Sequence, residues 1–578
     1  MSPQRFAVEQ VHEVFAKKGF DKPVELKIRS GIVLIYKKQL VNELNYRLIG
    51  KSLIFSAGTL FYRNKKYSDS LDAFFEDFIK GVLDTNLIIG SYFIFIEHNA
   101  QSYFITDRAG VQNIYFNRES GVISTSFLAV LAAMGENSGK QTINKQSVCE
   151  VLTTGNLIGP DTLIEGIERY EPAIHVDLPG MKKIDCQNEM KNEENAAFNY
   201  SAEIARQIHS LSEYFASCAA PLNHYGVSSG LTGGFDSRLL YLVFKRFTKN
   251  YQIYSTHREN PGPEFHCAKD FARAAGEKLL SIPHTPPEKM SAAELSKTLL
   301  DNFYFNDGLI RTHQLWLEEI KSRDYLKKLY GLFRVGFSGI GGEQFRNGEY
   351  LVRNRYSFRS WVRNELVERV SSLPFLDSKS KSGFLLNLRT KIANLLGMPA
   401  CSKYISKKEI KRYYNEIWNP ANRTIRNNIE NQLVFFLSPF TEYKVAHNAY
   451  DAIPYLGSGP EFEMEMIRRL APELAACKTD YGFSIVDKIS FTQRILPYIK
   501  SVLGLKFYNQ LFFFCKKRKT AYYELLIQKH PGLNEFVENV VRLNLPLNLK
   551  KLKQNDFLSP LLIETGYYLS EMKKNIEL

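Results

Sequence analysis

A short loop that runs from Leu231 to Ser237 carries the residues most suited to chemistry, in the order Leu-Thr-Gly-Gly-Phe-Asp-Ser. It follows a predicted strand, Tyr225 to Leu231, and it precedes a helix predicted to begin near Asp236. Glycine lets a ligand approach the backbone closely, and the start of a helix offers N–H groups without intrahelical partners. The loop therefore predicts a phosphate site, although two adjacent glycines alone would also suit a tight turn between a strand and a helix.

The complete word Thr232-Gly-Gly-Phe-Asp-Ser237 resembles the S-G-G-x-D-S pyrophosphate loop of the N-type ATP pyrophosphatases, and Thr232 keeps the hydroxyl of the first Ser. The resemblance implies that the loop holds the β- and γ-phosphates of ATP, which leave as pyrophosphate. It also implies that Asp236 binds their Mg²⁺. The residues expected to contact the nucleotide are Leu231, Thr232, Gly233, Gly234, Phe235, Ser237, Thr256, Ser338 and Gly339.

Within that superfamily the chain is most similar to the asparagine synthetases. Glu264-Phe-His-Cys-Ala268 resembles their D-x-x-x-A helix start, and Ser338 to Gly348 resembles S-G-E-G-A-D-E-x-F-x-G-Y. Glu343 then stands where the family has a second Mg²⁺-binding Asp. Two carboxylates holding Mg²⁺ suit a reaction that concentrates negative charge on pyrophosphate.

Two later motifs extend this resemblance. Pro439-Phe-Thr-Glu442 resembles the family's P-F-L-D, and Lys478-Thr-Asp-Tyr-Gly-Phe483 resembles a late K-x-x-G-F with one extra residue. Lys478 is the candidate cation for the phosphates, and an ordinary surface lysine is the alternative because the spacing is loose. The predicted catalytic residues are thus Asp236, Glu343 and Lys478, with Asp236 and Glu343 as metal ligands.

Two positions depart from the family pattern and bear on the nucleophile. The Glu of G-E-G, associated with incoming ammonia, is Ile340 here, and the family's Asp-Glu pair is Glu343-Gln344. A carboxylate can take the proton that ammonia loses when it attacks an adenylate. Adenylation is still expected, and the identity of the attacking amine is left open.

The amino-terminal half resembles the later part of a class II glutamine amidotransferase domain. The matching segments are Ile89–Phe93, Asp107–Gly110, Ile114–Phe116 and Ser124–Ser126. The glutaminase of that family uses a Cys at position 2 whose own amino group acts as the base, and this chain has Ser2. Ser2-Pro3 also opens a predicted amphipathic helix, and the first strand is predicted near Gly31 to Ile35. We expect the fold without the glutaminase reaction.

The order of predicted elements indicates an α/β protein. We expect an amino-terminal Ntn-hydrolase-like αββα sandwich over residues 1–190. A parallel-sheet ATP-pyrophosphatase domain with a helical later part is expected over residues 200–500, and a helical, basic extension over residues 501–578. The polar, aperiodic stretch from Lys182 to Asn199 suits the linker between the first two.

Composition narrows the class of protein. The net charge of +14 would suit nucleic acid, membrane headgroups or anionic substrates alike. The seven cysteines form no C-x-x-C pair, and thiolation enzymes that act on tRNA generally carry paired cysteines, so no nucleic-acid partner is expected. No apolar run reaches the roughly 18 residues of a membrane span, and the first residues lack the apolar centre of a signal peptide. We expect a cytoplasmic protein without an integral membrane segment.

The predicted activity joins a carboxylate to an amine at the expense of ATP. The carboxylate would become an acyl-adenylate with release of pyrophosphate, and an amine would then displace AMP to give an amide. ATP and Mg²⁺ are the expected cofactors, and a small-molecule or peptide carboxylate and an amine donor are the expected partners. The alternatives are a glutamine-hydrolysing or ammonia-dependent asparagine synthetase and a pseudoenzyme that binds nucleotide.

Overall fold

The structure is a computed structural model of the 578-residue chain. It describes residues 3–29, 31–134, 141–172, 178–184, 199–258, 260–284, 289–309, 322–347, 351–367, 375–487, 522–553 and 558–576. Ser2, most of the predicted linker and the basic run Lys516–Lys519 therefore lie outside the described residues. Helices and strands are mixed, and one sheet is parallel, which confirms the expected α/β class.

The amino-terminal half is rich in short strands, as the sequence predicts. Its elements are α1 (Pro3–Lys17), β1 (Val24–Ile28), β2 (Gly31–Ile35), β3 (Tyr46–Ile49), β4 (Ser52–Gly58), β5 (Phe61–Tyr62), α2 (Tyr67–Lys80), β6 (Ile88–Ile89), β7 (Tyr92–His98), β8 (Gln101–Thr106), β9 (Tyr115–Asn117), β10 (Val122–Ser124), α3 (Phe127–Met134), α4 (Lys145–Thr154), β11 (Glu168–Arg169) and β12 (Lys182–Lys183). A five-stranded sheet has the order β12-β8-β7-β4-β3, and a three-stranded sheet has the order β10-β9-β11.

The first strand was predicted too late in the chain. Strand β1 precedes Gly31 and pairs with β2 as an antiparallel hairpin, Leu26 opposite Val33. Its exposed Glu25 and Lys27 alternate with partly buried neighbours. Such alternation is typical of a half-buried strand, and the prediction missed it because it followed the continuous apolar run from Gly31 to Ile35. The sequence also predicts strands at 91–97 and 102–106, around the turn His98-Asn99-Ala100, and the structure has them as the antiparallel pair β7 and β8.

The second half is organised around a five-stranded parallel sheet. Its elements are α5 (Tyr200–Ala216), α6 (Ala219–Tyr225), β13 (Val227–Gly230), α7 (Phe235–Phe244), β14 (Tyr251–His257), α8 (Pro263–Ala274), β15 (Leu279–Pro283), α9 (Ala292–Phe305), α10 (Arg323–Tyr330), β16 (Val335–Phe337), β17 (Arg355–Ser357), α11 (Phe358–Trp361), α12 (Ser378–Leu395), β18 (Tyr404–Ser406), α13 (Lys407–Arg412), α14 (Ile425–Glu430), β19 (Phe435–Leu437), α15 (Tyr443–Ala449), α16 (Glu461–Leu470), α17 (Tyr522–Lys529), α18 (Leu533–Arg542), α19 (Leu549–Lys553) and α20 (Leu558–Ile576). The strand order is β15-β14-β13-β16-β19.

This order creates a point at which the direction of winding reverses. From β13 the chain passes through α7 to β14 on one side, whereas β16 lies on the other side of β13. When the connections after two neighbouring parallel strands run in opposite directions along the sheet, a crevice forms between them at the carboxyl ends of the strands. Open α/β sheets bind their ligands in this crevice. The loops after β13 and β16 are the two that contain the sequence motifs.

Buried apolar side chains join the two halves of the chain. One cluster contains Ile54 and Phe74 of the amino-terminal half together with Leu239, Phe337 and Phe435 around the parallel sheet. Another includes the carboxyl-terminal helices α17–α20, which pack with α4 and α9. Among the described residues no helix is both long and apolar enough to cross a membrane.

Candidate functional site

The loop after β13 is closed by its own hydroxyl groups. The backbone N–H of Thr232 donates to Ser237 Oγ at 3.0 Å, and the two hydroxyls lie 2.9 Å apart. The N–H of Gly234 donates to Thr232 Oγ1 at 3.3 Å, and helix α7 begins at the next residue, Phe235. The loop is therefore preformed at the start of a helix, which is the arrangement that presents N–H groups to an anion.

The loop after β16 packs directly against the first loop. A Cβ on Gly342 would lie 2.4 Å from Asp236 Oδ1, and one on Gly339 would lie 3.2 Å from the backbone N of Ser237. Any side chain at Gly342 would displace the Asp236 carboxylate. The two sequence motifs thus form one site, and glycine is required where they touch.

A third segment, Cys477 to Phe483, covers the other side of the glycine loop. The N–H of Asp480 donates to the carbonyl of Gly233 at 3.2 Å, and a Cβ on Gly233 would lie 2.8 Å from Asp480 Cβ. The ring of Tyr481 stacks on Phe235 with centroids 5.2 Å apart. The late motif predicted near Lys478 therefore contacts the phosphate-loop candidate, although the Lys478 side chain is exposed.

Arg238 fixes this third segment to helix α7. Its side chain is fully buried and donates to the carbonyl of Cys477 at 3.1 Å and to that of Lys478 at 2.6 Å. The guanidinium also lies over the ring of Phe271, 4.7 Å from its centroid. Burial lowers the pKa of Arg238 from its usual value, because carbonyl oxygens and a ring replace water.

The most prominent electrostatic feature of the site is the guanidinium of Arg346. Its Nη1 donates to Asp236 Oδ1 and to Glu463 Oε2, both at 2.8 Å, and its Nη2 donates to Asp236 Oδ2 at 3.1 Å. Burial opposes the charge of Arg346, but Asp236 and Glu463 raise its pKa above the usual value. Both carboxylate oxygens of Asp236 thus contact a cation supplied by the protein.

Glu463 is the more deeply buried partner of this arginine. It lies on α16 with no exposed side-chain surface, and its Oε1 has no hydrogen-bond partner in the described part of the chain. Burial raises the pKa of Glu463 well above its usual value, the charge of Asp236 adds to this rise, and Arg346 opposes it. Arg346 therefore balances two carboxylates that would otherwise repel each other.

The predicted Mg²⁺ ligands do not offer a ready metal site in this arrangement. Glu343 Oε1 lies 4.0 Å from Arg346 Nη2, so the guanidinium stands between the two proposed ligands. Over the described ranges no cluster of three or more His, Cys, Asp or Glu side chains could hold a metal ion. A metal ion at Asp236 would meet the positive charge of Arg346.

Other predicted residues take different places. Ser338 is buried, and its Oγ accepts from the N–H of Ile340 at 3.3 Å, within the second loop. Thr256 is near the carboxyl end of β14, and among the described residues no hydrogen bond joins its side chain to the Thr232–Ser237 loop. Glu264 is exposed in the first turn of α8. Helix α8 contacts the glycine loop at Cys267, because a Cβ added to Gly233 would lie 3.2 Å from the Cβ of Cys267.

Gln344 and Glu442 connect structural segments. Gln344 is buried, and its Nε2 donates to the carbonyl of Phe440 at 2.9 Å, which ties the second loop to the Pro439–Glu442 motif. Glu442 accepts from the N–H of Gly90 at 2.9 Å and from the hydroxyl of Tyr214. Burial raises the pKa of Glu442 to about 8, so this carboxyl joins the two halves largely in its protonated form below that pH.

Sequence reasoning missed Arg346, Glu463, Asp480 and Arg238 as parts of the site. Arg346 was visible as a basic residue three positions after Glu343, inside the second motif. Glu463 gave no signal of its own, since it lies 117 residues farther along and is brought in by the packing of α16 on α7. In comparisons with known proteins, no family model and no curated protein matches this chain.

Proposed function

We propose that this protein is an ATP-dependent ligase of the asparagine-synthetase type, which activates a carboxylate as its adenylate and transfers the acyl group to an amine. The amino-terminal half would be a class II amidotransferase-like, αββα fold without glutaminase chemistry. The parallel-sheet half would be the ATP-pyrophosphatase unit. This proposal extends the resemblance seen in the sequence and rests on the geometry of the parallel sheet.

The observation that carries the proposal is the position of the Thr232–Ser237 loop. It leaves the central strand β13 at the point where the winding of the sheet reverses, and α7 begins directly after its glycines. The Ser338–Glu343 loop and the Cys477–Phe483 segment close around it. A phosphate chain is the ligand class that such a glycine-rich helix start favours.

In the proposed adenylation step, residues of α7 and the covering segment would bind the leaving pyrophosphate. An oxygen of the substrate carboxylate attacks the α-phosphorus of ATP, and the bond from that phosphorus to the β-phosphate oxygen breaks. The first turn of α7 would hold the departing pyrophosphate, while Lys478 would reach it from the covering segment. Donors that stand where negative charge develops stabilise the transition state without reorganising during the step.

Arg346 places a guanidinium beside this loop, where Asp236 and Glu463 already pair with it. ATP ordinarily arrives with Mg²⁺, for which Asp236 and Glu343 are the proposed ligands, but Asp236 is already paired with Arg346. We assign no step to Mg²⁺ in this arrangement, because Arg346 must first leave Asp236 or share it. The competition between the guanidinium and a divalent ion is a property that experiment can measure.

The amine is proposed to be part of a bound substrate. It attacks the acyl carbon, AMP leaves, and the amine loses a proton. The half-buried, apolar Ile340 stands where the family places a carboxylate beside incoming ammonia, and it cannot accept that proton. Ser2, the other residue bearing on ammonia supply, lies outside the described residues.

Pyrophosphate release tests the proposal. The purified protein should release pyrophosphate from ATP when given a panel of amino-acid, peptide and small organic carboxylates, and Asp236→Asn should abolish the release. A cognate amine should trap the adenylate far better than ammonium at equal concentration. Ammonium as the best acceptor would replace the substrate-amine proposal with a plain ammonia-dependent synthetase.

A nucleotide-binding protein without turnover is the second candidate, and the Arg346–Asp236 pair favours it, since that pair occupies the predicted metal ligand. The two candidates differ in one outcome. Binding of ATP with no pyrophosphate release from any carboxylate, with and without Mg²⁺, would support the second candidate over the ligase.

A further inference from the structure

A large cavity lies in the amino-terminal half, away from the loops that carry the proposed ATP chemistry. Its volume is about 610 Å³, and its walls come from α1, the β1–β2 hairpin, β4, β7, β10, α3 and the Asn428–Gln432 stretch that begins in α14. Cavities of roughly 300 to 1,000 Å³ are the size that holds small organic ligands. The space is therefore large enough for a compound of about a dozen heavy atoms.

The cavity wall is more apolar than polar, and its apolar part is rich in aromatic rings. Phe15 from α1, Phe55 from β4, Phe93 and Phe95 from β7 and Ile123 from β10 all contribute to it. Phe55 and Phe95 stack with their centroids 5.0 Å apart, and Phe55 also lies 6.2 Å from Phe93. Such a wall favours a hydrocarbon or aromatic body, because burying apolar surface gains about 25 cal/mol per Å².

Among the described residues that line this cavity, three carry a formally charged side chain, and two of these form an ion pair with each other. Lys18 Nζ lies 2.8 Å from Asp307 Oδ1 and 3.1 Å from Ser126 Oγ. The third is Lys38. Among the described lining residues, Lys38 is therefore the basic side chain that has no carboxylate of the wall beside it.

Lys38 is held by neutral oxygens alone. Its Nζ donates to the backbone carbonyl of Asn431 at 2.6 Å and to Asn431 Oδ1 at 3.0 Å, and it lies 5.4 Å from the ring centroid of Phe435. Within the described part of the chain no carboxylate lies within 4.0 Å of this ammonium group. Burial lowers the pKa of Lys38 well below its usual value, because no acidic group offsets the loss of water.

We propose that this cavity binds a small carboxylic acid with an apolar body, and that the carboxylate of the ligand pairs with Lys38. The ligand would supply a carboxylate beside Lys38, where the described part of the chain has none, and its body would cover the aromatic wall. A charge-assisted hydrogen bond is stronger than a neutral one. The cavity should therefore bind a carboxylate more tightly than a neutral compound with the same hydrocarbon body. Glutamine, which has no apolar body, should not bind there.

Decanoate and decanol form a matched pair of probes, since they share a hydrocarbon body and differ in the charged head. We expect isothermal titration calorimetry to show decanoate binding to the full chain, with decanol weaker. Lys38→Met should weaken decanoate by at least about tenfold, the typical effect of losing a hydrogen bond to a charged group, and should leave decanol unchanged. The neighbouring Lys37, which is exposed, provides the control Lys37→Met, which should bind both probes as the parent does.

A second variant keeps the proposal testable if Lys38→Met does not fold. Ile123→Trp adds bulk to the cavity wall and should reduce binding of both probes, because it fills the space and leaves Lys38 in place. Absence of decanoate binding, equal decanoate binding by the Lys38→Met variant, or tighter binding of glutamine than of decanoate would each overturn the proposal. None of these outcomes bears on pyrophosphate release, so the two proposals fail independently.

Discussion

Replacing Arg346 with Met should turn the Asp236 carboxylate from an ion-pair partner into a metal ligand. Methionine keeps the volume of the arginine stem and removes the guanidinium that contacts both oxygens of Asp236 and one of Glu463. The variant should bind Mn²⁺, a spectroscopic substitute for Mg²⁺, more tightly than the parent in the absence of nucleotide.

The size of the effect follows from the repulsion between the guanidinium and a divalent ion at Asp236. At about 4 Å, charges of +1 and +2 repel by about 2 kcal/mol even with the full screening of water, which corresponds to about a 30-fold change in affinity. The side chains of Arg346 and Glu463 are only 13% and 0% exposed, so water screens them incompletely and the change should be at least this large. Without metal the variant should also lose about 3 kcal/mol of stability, since the buried Glu463 and the partly buried Asp236 lose their shared cation.

Electron paramagnetic resonance of free Mn²⁺ measures the affinity, and thermal denaturation with and without Mn²⁺ measures the stability. The exposed Arg353 provides the control Arg353→Met, which should resemble the parent in both assays. Added Mn²⁺ should restore the melting temperature of Arg346→Met and leave that of the parent nearly unchanged. Equal Mn²⁺ affinity and equal stability of parent and variant would show that Arg346 does not hold Asp236 in solution.

Three further predictions concern the packing of Gly342, the ionisation of Glu442 and the hydrolysis of glutamine. A Cβ on Gly342 would lie 2.4 Å from Asp236 Oδ1, so Gly342→Ala should lose ATP binding in a calorimetric titration. The control Gly383→Ala, which has open space around it, should keep ATP binding. Equal binding by the two variants would mean that the two loops do not pack as described. Because burial raises the pKa of Glu442 to about 8, its contribution to stability is complete below the usual carboxyl pKa and is lost as the pH rises towards 8, at up to about 1.4 kcal/mol per pH unit. Glu442→Gln should flatten the fall in melting temperature between pH 5 and pH 8, and parallel profiles would contradict the assignment. Incubation with glutamine should release no glutamate, and release that a Ser2→Ala variant abolishes would restore the glutaminase reading.

The parts of the fold that sequence could predict are those with local signals. The loop from Thr232 to Ser237 stands between a buried strand and a helix, and its composition marks it without reference to the rest of the chain. The pairing of β7 with β8 followed from two apolar runs around a short turn. Strand β1 was missed because its signal is the alternation of apolar and charged residues around Glu25 and Lys27, which is less conspicuous than the continuous apolar run that follows it.

The electrostatic arrangement of the site depends on contacts that a linear pattern does not encode. Arg346 reaches Asp236 across 110 residues and Glu463 across 117, and only the packing of three elements brings them together. The motif around Glu343 indicated a carboxylate pair for a metal, whereas the neighbouring arginine supplies a cation of its own. Arg346 stands where the motif that Ser338 to Gly348 resembles has a Phe, so the ion pair arises at a position where this chain departs from that motif.

The most direct measurement of the central claim is a calorimetric titration of the full chain with ATP, pyrophosphate and AMP. If the Thr232–Ser237 loop is a pyrophosphate site, ATP and pyrophosphate should bind, and AMP should bind at least about tenfold more weakly, because it lacks the phosphates that the N–H groups of the helix start attract. AMP binding as tight as that of ATP, or no binding of pyrophosphate, would contradict the account.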